Sequence, residues 1–196
     1  MTTKSKLLLF GGTFDPVHNG HVAMLNCAIE AIRPDKVLVI PVGCPWKKQR
    51  LPFASAAHRC AMLKIALPNT LIDERELKRE GPTYTVDSLR ELSLDNPSAS
   101  FYWLIGSDSF AGLDSWRESA ILATLATFAV VRRDNDPIVP PREKFRFREV
   151  ICTPSPVSST CIRERLSRRE PIQGLVPDAV YDYIQQHNLY FAEQHS

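Results

Sequence analysis

No CxxC pair occurs among the five cysteines, at 27, 44, 60, 152 and 161. Neither a zinc ribbon nor a disulfide framework is written into that spacing, and a reduced, cytoplasmic setting fits it best. Long apolar runs are also missing. The opening MTTKSKLLLF carries a four-residue apolar stretch before Gly11, too short for a signal peptide or a membrane helix, and no other stretch approaches membrane-spanning length. Excess charge of one sign is absent too. Twenty-four Lys and Arg against 22 Asp and Glu leave a net charge of +2, which gives no electrostatic footprint for a nucleic-acid backbone. No internal repeat is visible.

What remains is a 196-residue chain that is 44% hydrophobic and 23% charged, the composition of one globular domain with a real core. Apolar runs alternate with helix-period segments. Strands are predicted at 6–10, 36–43, 70–73, 101–106, 127–132 and 149–153. Helices are predicted at 19–32, 55–67, 83–94, 113–125, 157–168 and 178–187. Such alternation argues for parallel βαβ units, with a sheet covered on both faces. The stretch 133–148, rich in proline and charge, reads as a flexible insertion. The C-terminal helices, about 157–190, are expected to pack on the same single domain.

The densest motif is FGGTFDPVHNGH, residues 10–21. Gly11 and Gly12 follow the first strand, where the backbone must turn tightly and let a ligand approach. Asn19 and Gly20 open a helix whose first N–H groups suit a phosphate. His18 and His21 stand three residues apart at that end and can face one way. A metal site, a helix cap and a pair of phosphate donors are all compatible with them. No third ligand is spaced to complete a metal site, and a phosphate would favour the imidazolium form. The loop is neither GxxxxGK[ST] nor GxGxxG.

Four further stretches join this one. HNGH (18–21) resembles the (T/H)xGH signature of the nucleotidyltransferase superfamily. DERELKREGPTYTVDSL (73–89), LIGSDSFAGLDSW (104–116), SSTCIRERL (158–166) and VPDAVYDYIQQHNLY (176–190) resemble bacterial nicotinate-nucleotide adenylyltransferases, in that family's order and spacing. The resemblance runs from residue 10 to about 190. It implies a Rossmann-like, doubly wound parallel sheet of five or six strands. It also implies transfer of AMP from ATP, accompanied by Mg²⁺, to nicotinate mononucleotide, giving deamido-NAD and pyrophosphate.

The residues matching the family's motifs then take roles. His18, His21, Lys47 and Arg163 are the catalytic candidates, as donors to phosphate oxygens. No general base is needed, because the acceptor phosphate is already a nucleophile. Gly11, Gly12, Thr13, Phe14, Gly20, Gly106, Asp108, Ser159 and Thr160 are the ATP candidates. Lys48, Tyr84, Thr85, Trp116 and Arg132 are assigned to the mononucleotide, with Trp116 stacking on the ring and N–H groups near Thr85 holding its carboxylate. The commoner family pattern PPHK is here Pro45-Trp46-Lys47-Lys48, which leaves open which lysine meets the mononucleotide phosphate. Trp103 and His58 read as core and surface residues. No metal site is predicted in the protein itself, and homo-oligomerisation is left open. The amide mononucleotide, phosphopantetheine and a non-catalytic nucleotide-binding role are the competing readings.

Overall fold

The computed structural model describes residues 4–45, 52–132, 138–142, 144–153 and 155–191. In chain order the elements are β1 (Lys6–Gly12), α1 (Asn19–Ile32), β2 (Lys36–Pro41), α2 (Ala56–Ala66), β3 (Leu71–Ile72), α3 (Thr85–Asp95) and β4 (Ser100–Gly106). They continue with α4 (Ser107–Ala111), α5 (Ser119–Leu125), β5 (Thr127–Val131), β6 (Phe147–Val150), α6 (Ser159–Ser167) and α7 (Asp178–Gln186). The six strands form one parallel sheet in the order β3-β2-β1-β4-β5-β6.

Alternation along each strand divides the apolar residues between two cores. Leu8 and Phe10 point to one face, with Val39, Leu104, Ala129 and Val131. That face is covered by Leu25, Ala28 and Ile32 of α1, Met62 and Leu63 of α2, Ile162 and Leu166 of α6, and Val180 and Ile184 of α7. Leu7 and Leu9 point to the other face, with Ile40, Trp103, Ile105 and Phe128. There Val86, Leu89 and Leu92 of α3, Phe110 of α4 and Leu122 of α5 close over them. Each fully buried Leu or Ile contributes about 1.5–3 kcal/mol. The doubly covered sheet explains why β1 and β2 read as continuous apolar runs.

Strand order reverses about β1: β2 and β3 lie on one side, β4, β5 and β6 on the other. Ligands of open α/β sheets bind at the carboxyl ends of the strands at such a switch point. Gly11 and Gly12 end β1 there and Gly106 ends β4. No helix among the described residues is long and apolar enough to cross a membrane.

Three expectations need correction. The predicted helix 113–125 is broken. Gly112 caps α4, a 3₁₀ turn spans Leu113–Ser115, and Glu118 takes a left-handed φ of 51° before α5 starts. Arg90 of α3 holds that bend through both guanidinium nitrogens, at 3.0 and 2.5 Å from the Glu118 carboxylate. The insertion predicted at 133–148 is structured in its latter part. Phe145 is buried edge-on against Phe128, Phe147 already belongs to β6, and the Arg142 N–H donates to Asp114 at 2.8 Å. The cysteines are not all single thiols either, since Cys27 of α1 and Cys152 after β6 form a disulfide with Cα atoms 5.7 Å apart. Their separation of 125 residues hid the pair, because only the fold brings α1 beside the end of β6.

Candidate functional site

The loop from Gly12 to His18 is held from three sides. The Asp15 carboxylate is buried and accepts from the Phe53 N–H at 2.8 Å, the Ala54 N–H at 3.0 Å and the Tyr190 hydroxyl at 2.9 Å. Arg59 of α2, only 2% exposed, donates to the Thr13 carbonyl at 2.8 Å. From α6, Arg163 donates to the Asp15 carbonyl at 2.6 Å, and the Ser159 hydroxyl donates to the Pro16 carbonyl at 2.9 Å. Burial lowers the Arg59 pKa, with Asp15 acting in the opposite direction. Burial and the Asp15 charge push the Tyr190 hydroxyl well above the usual phenol range. Sequence reading missed Asp15, Arg59 and Tyr190. Asp15 and Tyr190 lie inside motifs, though neither was singled out, and nothing local marks Arg59.

His18 is the N-cap of α1, and the two histidines form a capping box. His18 Nδ1 accepts from the His21 N–H at 3.3 Å, and His21 Nδ1 accepts from the His18 N–H at 3.2 Å. The rings stack with centroids 3.7 Å apart. In this box each ring accepts at Nδ1 and leaves Nε2 as the nitrogen that can donate. The first-turn N–H groups of α1 are less available than expected. The Asn19 N–H donates to the Leu175 carbonyl at 2.9 Å, and the His21 N–H is used within the box.

Two cavities open on this helix end. One is lined by His18, Gly20, His21, Met24, Arg132, Cys152, Thr153 and the start of α6 from Ser158 to Thr160. A Cβ on Gly20 would stand 3.1 Å from the His18 ring and from the Ser155 hydroxyl, so glycine keeps this cavity open. The other is lined by Gly11, Gly12, Thr13, Glu76, Thr83, Thr85, Trp103, Gly106 and Trp116. Here Gly11 is required by close approach, because a Cβ would lie 2.5 Å from the Trp103 indole. His21 and Met24 belong to both linings. The cavities therefore meet at the second histidine.

Most sequence-assigned residues converge on these walls. Gly11, Gly12, Thr13 and Gly106, assigned to ATP, line the cavity of Trp116, and Arg132 does not join the group assigned to it either. It lines the cavity of Ser159 and Thr160, with Glu149 3.4 Å away, rather than the cavity of Trp116. Phe14 is 1% exposed and packs edge-on against His21, so its side chain belongs to the core. Arg163 sits in a small adjoining cleft with Phe53 and Thr160, its guanidinium 4.7 Å over the Phe53 ring and 3.2 Å from the Thr160 hydroxyl. Tyr84 caps α3 beneath the Arg117 guanidinium. Asp108 lies exposed in the first turn of α4, two residues beyond Gly106. Trp103, read as core, is buried but also lines the second cavity. His58, read as a surface residue, is only partly exposed and shares a 2.9 Å hydrogen bond with the Tyr183 hydroxyl. Lys47 and Lys48 lie outside the described residues.

The buried carboxyl of Glu76 was also missed. It is 4% exposed and accepts from the Ser88 hydroxyl at 2.7 Å. Burial raises its pKa above the usual carboxylate range. Among the described residues no group of three or more His, Cys, Asp or Glu is arranged to hold a metal ion.

Residues 9–165 match the family described as cytidylyltransferase-like. A probable nicotinate-nucleotide adenylyltransferase of Chromobacterium violaceum is 38% identical, over 93% of this chain and 97% of that protein. A probable nicotinate-nucleotide adenylyltransferase of Bordetella petrii is also 38% identical, again over 93% and 97%. Among solved structures, the Plasmodium falciparum nicotinic acid mononucleotide adenylyltransferase complexed with NaAD superposes with a TM-score of 0.77. It is 23% identical and covers 95% of this chain and 97% of that one.

Proposed function

This chain belongs to the cytidylyltransferase-like family and, within it, to the nicotinate-nucleotide adenylyltransferases; on that premise we propose how its two cavities divide the reaction. The enzyme transfers AMP from ATP to nicotinate mononucleotide, a step of NAD biosynthesis. ATP occupies the cavity between α1 and α6. The mononucleotide occupies the cavity of Thr85 and Trp116. The observation that carries this assignment is the shared wall: His21 lines both cavities, where the two phosphates must meet.

The acceptor phosphate oxygen attacks the α-phosphorus of ATP. A P–O bond forms there, the bond to the β-phosphate oxygen breaks, and pyrophosphate leaves. The protein's task is to hold two anions in line and to stabilise charge on the transferring group. His18 and His21 present Nε2–H donors fixed by their own backbone box. Thr160 and Arg163, already bonded to each other at 3.2 Å, meet the β- and γ-phosphates at the start of α6. Mg²⁺ would accompany ATP and neutralise charge on its phosphates. The nearby Asp15 carboxylate is unsuited to it, because its oxygens already accept three protein hydrogen bonds. We place the enzyme in the cytoplasm, with its substrates.

The test is pyrophosphate release from ATP and Mg²⁺ with nicotinate mononucleotide and its amide assayed side by side. Preference for the acid supports the assignment. Turnover of the amide alone overturns the acceptor, and release with neither overturns the activity.

A further inference from the structure

The cavity assigned to the mononucleotide contains a group that the reaction does not call for. The ring of the proposed substrate bears a carboxylate. Yet Glu76, a second carboxyl, stands in the same wall as Thr83, Thr85 and Trp116. An ionised carboxylate there repels the substituent that the pocket is meant to hold. An amide substituent would meet no such repulsion and offers an N–H to an acceptor.

The surroundings of Glu76 act on its charge in both directions. At 4% exposure, water does little to stabilise its charge. Ser88 of α3 donates one hydroxyl to it at 2.7 Å, favouring the ionised form, and the Arg79 guanidinium stands 3.4 Å behind that hydroxyl. Arg79 is itself drawn to Glu91 at 2.7 Å. Asp73 acts in the opposite sense, and its charge is in turn paired with Arg75 at 2.9 Å. Thr83, buried beside Glu76, also donates to the Cys44 carbonyl at 3.3 Å. Of the other residues lining the cavity, Thr85 and Trp116 carry no charge, and His21 is a further titratable side chain, whose effect is common to wild type and Glu76→Gln. Burial outweighs the donors and holds the carboxyl above its ordinary range.

We propose that Glu76 is a determinant of ring-substituent specificity: its carboxyl admits the carboxylate-bearing ring when it carries a proton and favours the amide-bearing ring when it does not. This rests on the mononucleotide occupying the Trp116 cavity. The consequence is that acid and amide mononucleotides respond differently to pH. Both carry the same reacting phosphate, so its ionisation cancels in the ratio of their kcat/KM values.

The experiment measures that ratio between about pH 5.5 and 8.5 in the wild-type enzyme, Glu76→Gln and Ser88→Ala. The acid-to-amide ratio of the wild type is expected to fall about tenfold as pH rises, the effect of one carboxylate charge on another nearby. Glu76→Gln flattens the profile and keeps the ratio high at the alkaline end. Ser88→Ala removes a donor to the ionised form and moves the fall to higher pH. That variant carries the test if Glu76→Gln does not fold. A wild-type ratio independent of pH, or a Glu76→Gln profile that follows the wild type, overturns the proposal and leaves the proposed function standing. Failure of both mononucleotides at every pH overturns the proposed function, and this inference with it.

Discussion

His18 and His21 stack 3.7 Å apart, each accepting the other's backbone N–H through Nδ1. Capping and phosphate donation, which compete when only the sequence is considered, are carried here by different atoms of the same rings. The two roles can be separated. His21→Ala should lower kcat/KM by a factor on the order of 10² to 10³, as for a lost transition-state donor. His18→Asn keeps a good N-cap acceptor but has no Nε2. It should unfold at nearly the wild-type denaturant midpoint while losing most of its turnover. Full activity in His18→Asn would reduce the pair to a helix cap.

Tyr190 supplies a pH prediction. Its hydroxyl is buried against Asp15, both of which raise its pKa above the unfolded value. Between the unfolded and folded pKa values the native state holds a proton that the unfolded state has lost. The stabilisation from Tyr190 is therefore complete below about pH 10 and is lost above it, at up to about 1.4 kcal/mol per pH unit. Urea unfolding at about pH 8 and pH 11 should show a steeper loss for the wild type than for Tyr190→Phe. Parallel losses would mean that the Tyr190 hydroxyl is not held protonated by burial and Asp15 in solution.

The doubly wound sheet was legible because both of its faces are buried. Strands such as Leu7–Phe10 then read as unbroken apolar runs, and α1 carries its stripe at Leu25, Ala28 and Ile32. Motif residues at strand ends were legible for a related reason, since their chemistry is local. The clamp on the phosphate loop was not. Arg59 reaches Thr13 across 46 residues, and Tyr190 reaches Asp15 across 175, so no window contains either pair. The kink at Glu118 escaped because its cause, Arg90, sits on another helix. Glu76 lies inside the motif 73–89, but nothing local distinguishes it from the charges beside it; only the fold shows that it is buried.

Cys27 and Cys152 join α1 to the segment that lines the cavity assigned to ATP. Thiol titration of the denatured protein, purified without reductant, should give three reactive cysteines: Cys44, Cys60 and Cys161. Prior reduction should raise the count to the full five of the sequence. Five thiols without reductant would mean that the pair stays reduced, as is usual in a glutathione-poised compartment.

Trp116 separates packing from binding. It follows the 3₁₀ turn, leans on the core beneath α3 and α5, and lines the cavity with Thr85. If its indole stacks on the pyridine ring, Trp116→Ala removes an aromatic pair worth about 0.5–1.5 kcal/mol. The mononucleotide KM should then rise about three- to tenfold. The ATP KM should move little, because the cavity assigned to ATP lies across His21. Trp116→Phe should recover most of the loss, since a phenyl ring still stacks. A purely structural tryptophan would behave differently: both KM values would rise together, the melting temperature would fall, and phenylalanine would rescue stability and binding in proportion. The ratio of the two KM values, measured in the same preparations, decides between these cases.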